Sequence, residues 1–193
     1  MRNINLRYVD EVYGDDGILK KVSYHYPDNY NFGYDVVDDI AINDPDRTAM
    51  IWCNPAGEER RYTFADIKRL SDKAANYFLS LGIRKGDMVL TILKRHYQFW
   101  YVSIALHKIG AVMVPATFML TKGDVEYRVR SASIKAVICT QMNGVCDAVD
   151  AAEDIPTLEI KMAVNGSRDG WEQFDEGMEK ASDKLERDRK SVV

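Results

Sequence analysis

"LHKIGAVMVPAT", residues 106–117, decides the fold. A helix-like run halts at Gly110, an apolar run fills 111–114, and Pro115 closes it. Four apolar residues without alternation predict a strand covered on both faces, as in a parallel sheet between helix layers. Proline suits a strand terminus, where a missing N–H costs the ladder little.

The same alternation runs outward from this point. "MVLTIL" (88–93) predicts a buried strand and "YQFWYVSIALHKIG" (97–110) a helix that is apolar nearly all round. After the strand at 111–116 come a helix over 121–133, a strand over 135–140, a helix over 142–154 and a strand over 158–164. Trp171, Phe174, Met178, Ala181 and Leu185 step by three and four, as one face of a helix does. Strand–helix repeats of this kind predict an α/β fold: a mainly parallel sheet with helices on both faces, in three layers.

Upstream, "YDVVDDIAIN" (34–43) fits a short helix that "DPD" (44–46) ends. "TAMIWC" and "EERRYTF" flank "NPAG" (54–57), a hairpin signal. Thr63 and Asp66 have capping-box spacing, the helix after them shows one apolar face from Ile67 to Leu81, and Gly82 suits its left-handed end. Thr121 and Asp124 repeat the box. Residues 1–33 read as an N-terminal arm, with a turn at 13–17 and aromatics packing over a core. Residues 34–193 read as one α/β unit.

Composition bounds the function. The 193 residues are 46% hydrophobic and 29% charged, enough for one folded core. A net charge of −4 argues against a general nucleic-acid binder. "MRNINLRYVDEV" at the start lacks the apolar stretch of a secretory signal, and no run reaches the ~20 residues of a membrane span. The expectation is a cytoplasmic protein without a transmembrane segment. Cys53, Cys139 and Cys146 show no CxxC spacing and read as reduced core thiols.

Motif chemistry is sparse. G-x-G-x-x-G, G-x-x-x-x-G-K-[ST], G-x-S-x-G and H-E-x-x-H are all missing from the sequence. "GIRKGD" (82–87) ends in Asp87, which would repel a phosphate, and reads as a turn. His96 could cap a helix; His107, near a helix C-terminus, would gain from a positive charge there. Asp38, Asp39 and "EKASDKLERDRK" (179–190) read as solvated helix faces. No residue stands out as catalytic or metal-ligating. Ligands of open α/β sheets bind beyond the carboxyl ends of strands, so the loop "ATFML" (116–120) is a candidate ligand wall, with a plain strand-to-helix connection as the alternative.

"RYTFADIKRLSDKAANYFLSLGIRKGDMV" (61–89) followed by "ALHKIGAVMVPATFMLT" (105–121) resembles the opening third of the acyl-adenylate-forming enzymes. "YTFADI" is similar to their first core motif and "LHKIGAVMVP" to their second; "NFGYDVVDDIA" and "PATFMLT" look most like the medium-chain acyl-CoA synthetase branch. The resemblance covers roughly residues 30–185. It implies a ligase that joins ATP and a carboxylic acid into an acyl-adenylate, from which the CoA thiol displaces AMP. ATP, Mg²⁺ and CoA serve such a parent enzyme, with a small-molecule acid as substrate. The Ser/Thr/Gly-rich phosphate loop and the lysine of the C-terminal lid are not in this sequence. The expectation is therefore an N-terminal portion, inactive alone, that exposes apolar surface and self-associates through a sheet edge or the helix bearing Trp171, Phe174 and Met178. One site carries over: Thr117, Phe118 and Met119, on the loop after the second-motif strand, as CoA-binding residues. A stand-alone binding module or remnant, and a nucleotide-dependent enzyme of another mechanism, stay as alternatives.

Overall fold

A computed structural model describes residues 7–187. Its centre is a five-stranded sheet of β5 (Met88–Ile92), β6 (Val112–Pro115), β7 (Ile134–Thr140), β8 (Ile160–Val164) and β9 (Glu172–Gln173). Every pair in it is parallel, and the spatial order is β6-β5-β7-β8-β9. Successive residues of β5 and β7 face opposite layers. Val89, Ala136 and Ile138 join one core with α2 (Phe64–Ser80), α3 (Gln98–Ile109) and α6 (Phe174–Lys180). Leu90, Ile92, Val137 and Cys139 join another with α4 (Lys122–Ala132) and α5 (Val145–Asp150). Two apolar layers around one sheet give the three-layer α/β fold expected from the sequence.

Both expected capping boxes form. Thr63 and Thr121 each accept from the backbone N–H three residues on, and Asp66 and Asp124 each accept from the cap backbone. Such caps satisfy otherwise orphaned N–H groups at a helix start. Gly82 and Gly110 take φ of +90° and +70° and end α2 and α3. The expected hairpin is β3 (Thr48–Cys53) with β4 (Glu59–Thr63), and a second hairpin, β1 (Val9–Tyr13) with β2 (Leu19–Tyr24), occupies the arm.

Several expectations need correction. The strand that opened the reading, β6, has one neighbour and is the sheet's edge; Val112 is exposed, so its faces are not both covered. Its apolar run mimics an interior strand because sequence pattern reports hydrophobicity, not neighbour count. The helix expected at 142–154 is a 3₁₀ turn at Met142–Gly144 followed by the short α5, because Asn143 and Gly144 take positive φ. The helical face from Trp171 to Leu185 is only α6. Trp171, Phe174 and Met178 are buried within the chain's own two cores and offer no surface for self-association. Glu179 and Lys180 are exposed at the end of α6, but past Lys180 the described residues leave the helix, so 181–187 is no solvated helix face; Arg187 instead pairs with Asp35 at 2.7 Å. Residues 188–190 of that run lie outside the described residues.

Asp38 is not solvated either. A π-helical turn, Gly33–Asp38, leads into α1 (Asp39–Asn43) and carries Asp38 into the interior. There the fully buried Lys108 of α3 reaches Asp38 Oδ1 at 2.7 Å and Asp72 Oδ1 of α2 at 2.6 Å. Lys68, half-buried, lies 2.5 Å from Asp72 Oδ2. Burial pushes the Asp38 carboxyl above its usual range, against the pull of Lys108. Gly33 lets the turn approach: a Cβ there would meet Lys108 Cγ at 2.7 Å.

Candidate functional site

In chain order the strands read 2-1-3-4-5 across the sheet, so the chain leaves edge strand β6, passes β5 and continues at β7. The crevice beyond the carboxyl ends of β5 and β7 is the switch point, where α/β sheets of this order hold ligands. Three loops meet near it: the segment after β5, the turn after β7 and the segment after β8.

The first carries Lys94, His96 and Gln98. Lys94 adopts φ +47°, uncommon for a side chain with a Cβ. His96 Nε2 lies 2.8 Å from Thr140 Oγ1 at the end of β7, and its Nδ1 lies 3.1 Å from Asn165 Nδ2 after β8. Gln98 Nε2 donates to Asn165 Oδ1 at 2.7 Å and to Asp175 Oδ1 at 3.1 Å. With the Asn165 amide donating to Nδ1, the histidine proton sits on Nε2 and is given to Thr140. One directional chain thus ties three strand ends together. Burial is the main cause that lowers the His96 pKa, which keeps the ring a neutral relay member. His96 is therefore not the expected cap of α3; Tyr97 holds that position without a side-chain cap bond. His107 is likewise lowered by burial, so the expected helix-end charge is not favoured. No local pattern signals this network, because its members lie up to 77 residues apart.

Thr117, Phe118 and Met119 follow edge strand β6. Ala116 N–H still bonds Thr91 O at 2.9 Å, so the loop departs directly from the carboxyl end of the sheet. Thr117 and Met119 are exposed, Met119 to 70%; Phe118 is half-buried against the core on the α4 side. The Lys94 ammonium stands 4.6 Å from the Phe118 ring centroid and 3.9 Å from Met142 Sδ. The structure therefore sets a cation, an aromatic face and two exposed thioethers at neighbouring strand ends. That surface suits an anionic ligand with an apolar portion. Lys94 and Met142 were not singled out from the sequence; each is an ordinary loop residue until the β5 and β7 ends are adjacent. Among the described residues no three His, Cys, Asp or Glu side chains converge to hold a metal ion. These residues also supply no phosphate cradle, so no step through ATP or Mg²⁺ is assigned to them. No helix among the described residues is long and apolar enough to cross a membrane.

Comparison with known proteins follows the same outline. The AMP-binding enzyme pattern matches residues 37–192. The acyl-coenzyme A synthetase ACSM4, mitochondrial, of Rattus norvegicus is 34% identical over 165 residues, 81% of this chain and 28% of that protein. The ACSM3 counterpart of Homo sapiens is also 34% identical, with the same coverage. The chain thus spans 28% of the length of these relatives. Their names place them in mitochondria, which lends nothing to a cytoplasmic setting here. Among solved structures, an acyl-CoA synthetase of Brucella canis superposes with TM-score 0.72 at 18% identity, over 82% of this chain and 29% of that one. The anthranilate CoA ligase AuaEII, with anthranoyl-AMP bound, gives TM-score 0.69 at 22% identity, over 85% and 30%. The likeness to both is one of fold. With 37–192 matched, more than half of its length, the chain belongs to the AMP-binding enzyme family.

Proposed function

We propose that this chain supplies the N-terminal part of an AMP-forming acyl-CoA synthetase, in which Thr117, Phe118 and Met119 wall the path of the CoA thiol. The observation that carries the reading is the switch-point surface. Lys94 stands over the Phe118 ring, with the exposed Met119 next in the loop, beside the strand ends where a parallel sheet of this order takes ligands. In the complete enzyme, ATP and Mg²⁺ would activate a small carboxylic acid as its adenylate. The residues in hand would then act on the second ligand: Lys94 attracts its negative charge, and Phe118 and Met119 shelter its apolar arm from water. The relay through His96 holds the β5, β7 and β8 ends in register beneath them. Residues 34–193 form the α/β portion and 1–33 its arm; the mitochondrial names of the relatives make that compartment the rival to a cytoplasmic one. Self-association would use the exposed edge of β6.

Acid-dependent exchange of pyrophosphate into ATP tests the reading. The 193 residues alone should match a no-protein control with acetate, butyrate or octanoate. A longer protein that carries them together with a phosphate loop and lid lysine should exchange. Turnover by the 193 residues alone would contradict the assignment of chemistry to other segments.

A further inference from the structure

Cys139 and Cys146 are 0% and 1% exposed, on β7 and in the first turn of α5. Both sulfurs point at one oxygen: Cys139 Sγ lies 3.3 Å and Cys146 Sγ 3.2 Å from the carbonyl of Thr140. Sharing that oxygen couples the two thiols, and the influence of each on the other is the largest cause in each case: it makes Cys146 the more acidic thiol and Cys139 the less acidic. The charge of Arg168 further favours the Cys146 thiolate. The loop between them, 140–145, holds Asn143 and Gly144 at φ +58° and +68°. α5 has only six residues, so its first turn can open without a strand leaving the sheet. All three cysteines are free thiols in this structure.

We propose that Cys139 and Cys146 are an oxidisable dithiol that closes into a disulfide at the switch point, with a hydroperoxide as the oxidant. Nothing in this rests on the acyl-CoA reading. The Cys146 thiolate attacks a peroxide oxygen; an S–O bond forms, the O–O bond breaks, and the departing oxygen leaves as water. The Cys139 thiolate then attacks that sulfur; the S–S bond forms, the S–O bond breaks, and hydroxide leaves with the Cys139 proton as a second water. Two thiols lose two electrons and one hydrogen peroxide becomes two waters. The product ties α5 to the end of β7, beside the Thr140 hydroxyl that receives His96. The turn at the ligand-binding edge is then locked covalently.

The test uses the chain with Cys53→Ser, because Cys53 is exposed and would react separately. After hydrogen peroxide under native conditions, the protein is quenched, denatured, alkylated and cut with trypsin. Residues 136–161 lack lysine and arginine until Lys161, so both cysteines fall on one peptide. The expected peptide is lighter by two hydrogens, resists alkylation until reduced, and comes from protein that keeps its near-ultraviolet circular dichroism. Met142 sulfoxide on the same peptide adds one oxygen and is separated by mass. Adding Cys146→Ser should leave Cys139 fully alkylated. The parent measurement needs no change at the pair, so poor folding of that variant would not blunt it. Two alkylated cysteines after peroxide, a sulfinic acid on Cys146 beside an alkylated Cys139, or a disulfide formed only as the circular dichroism is lost would each overturn the proposal.

Discussion

Replacing Lys108 with methionine removes the one cation that is fully buried between Asp38 and Asp72 while keeping most of its volume. In the intact protein, contacts of 2.7 and 2.6 Å hold the two carboxylates through a single ammonium. Without it Asp72 keeps Lys68 at 2.5 Å, but Asp38 retains only Lys68 at 3.8 Å, and that lysine is a third exposed and screened by water. Breaking a buried ion pair by removing one partner costs about 3–5 kcal/mol. For a chain of this size that is a fall in Tm of about 6–20 °C. Urea and thermal unfolding of the 193-residue chain at neutral pH would measure it. The pH dependence has a definite sign. A buried carboxylate without its cation binds a proton in the folded state at a higher pH than in the unfolded state, where its pKa is about 3.9. Protonation relieves the penalty, so the gap between variant and wild type should narrow as pH falls from neutrality. Adding Asp38→Asn should recover part of the loss at neutral pH. A cost under about 1 kcal/mol at neutral pH, the range of an exposed pair, or a gap that widens on acidification would refute the assignment of Lys108 as the buried counterion.

Two further results should follow. Thr63→Ala and Thr121→Ala should each cost about 1 kcal/mol in urea unfolding, with Thr→Ser close to wild type, because the hydroxyl accepts the third helical N–H in both helices; equal losses for Ala and Ser would point to the methyl instead. Burial holds His96 and His107 below the ordinary pKa of about 6.5, so the unfolded chain takes up protons first. Stability should therefore drop as pH falls below about 6.5. The drop should shrink in a His96→Asn/His107→Gln double variant, and an unchanged pH slope would contradict it.

The fold was legible where one local signal sufficed. Two capping boxes, a proline–glycine turn and the apolar runs of β5 and β7 each write their element into a few adjacent residues. β6 shows the limit: it carries the same apolar pattern as an interior strand, yet strand order alone makes it an edge. Trp171, Phe174 and Met178 show another, since helical spacing marks an apolar face without saying whether the chain itself covers it. The proposed site was half legible. Thr117–Met119 could be proposed from the sequence because a loop after an apolar strand is a local feature; Lys94, His96, Thr140 and Asn165 could not, because each is a lone polar residue until parallel pairing joins the strand ends. Asp38 and Asp72 likewise look like surface carboxylates until Lys108 arrives from α3.

The most direct test of the CoA assignment replaces Met119 with aspartate in the longer protein. Met119 is 70% exposed, so the change costs little packing, whereas Phe118 is half-buried and its loss would mix folding with binding. The new carboxylate stands in the loop that approaches Lys94 through Phe118 and repels an anionic ligand there. One such repulsion of about 1–2 kcal/mol at a partly screened site corresponds to a roughly five- to thirtyfold rise in KM. Adenylation uses no CoA. Acid-dependent pyrophosphate release without CoA should be unchanged, while acyl-CoA formation should show KM for CoA raised about tenfold. Equal losses in both half-reactions, or no change in either, would contradict a thiol path along Thr117, Phe118 and Met119.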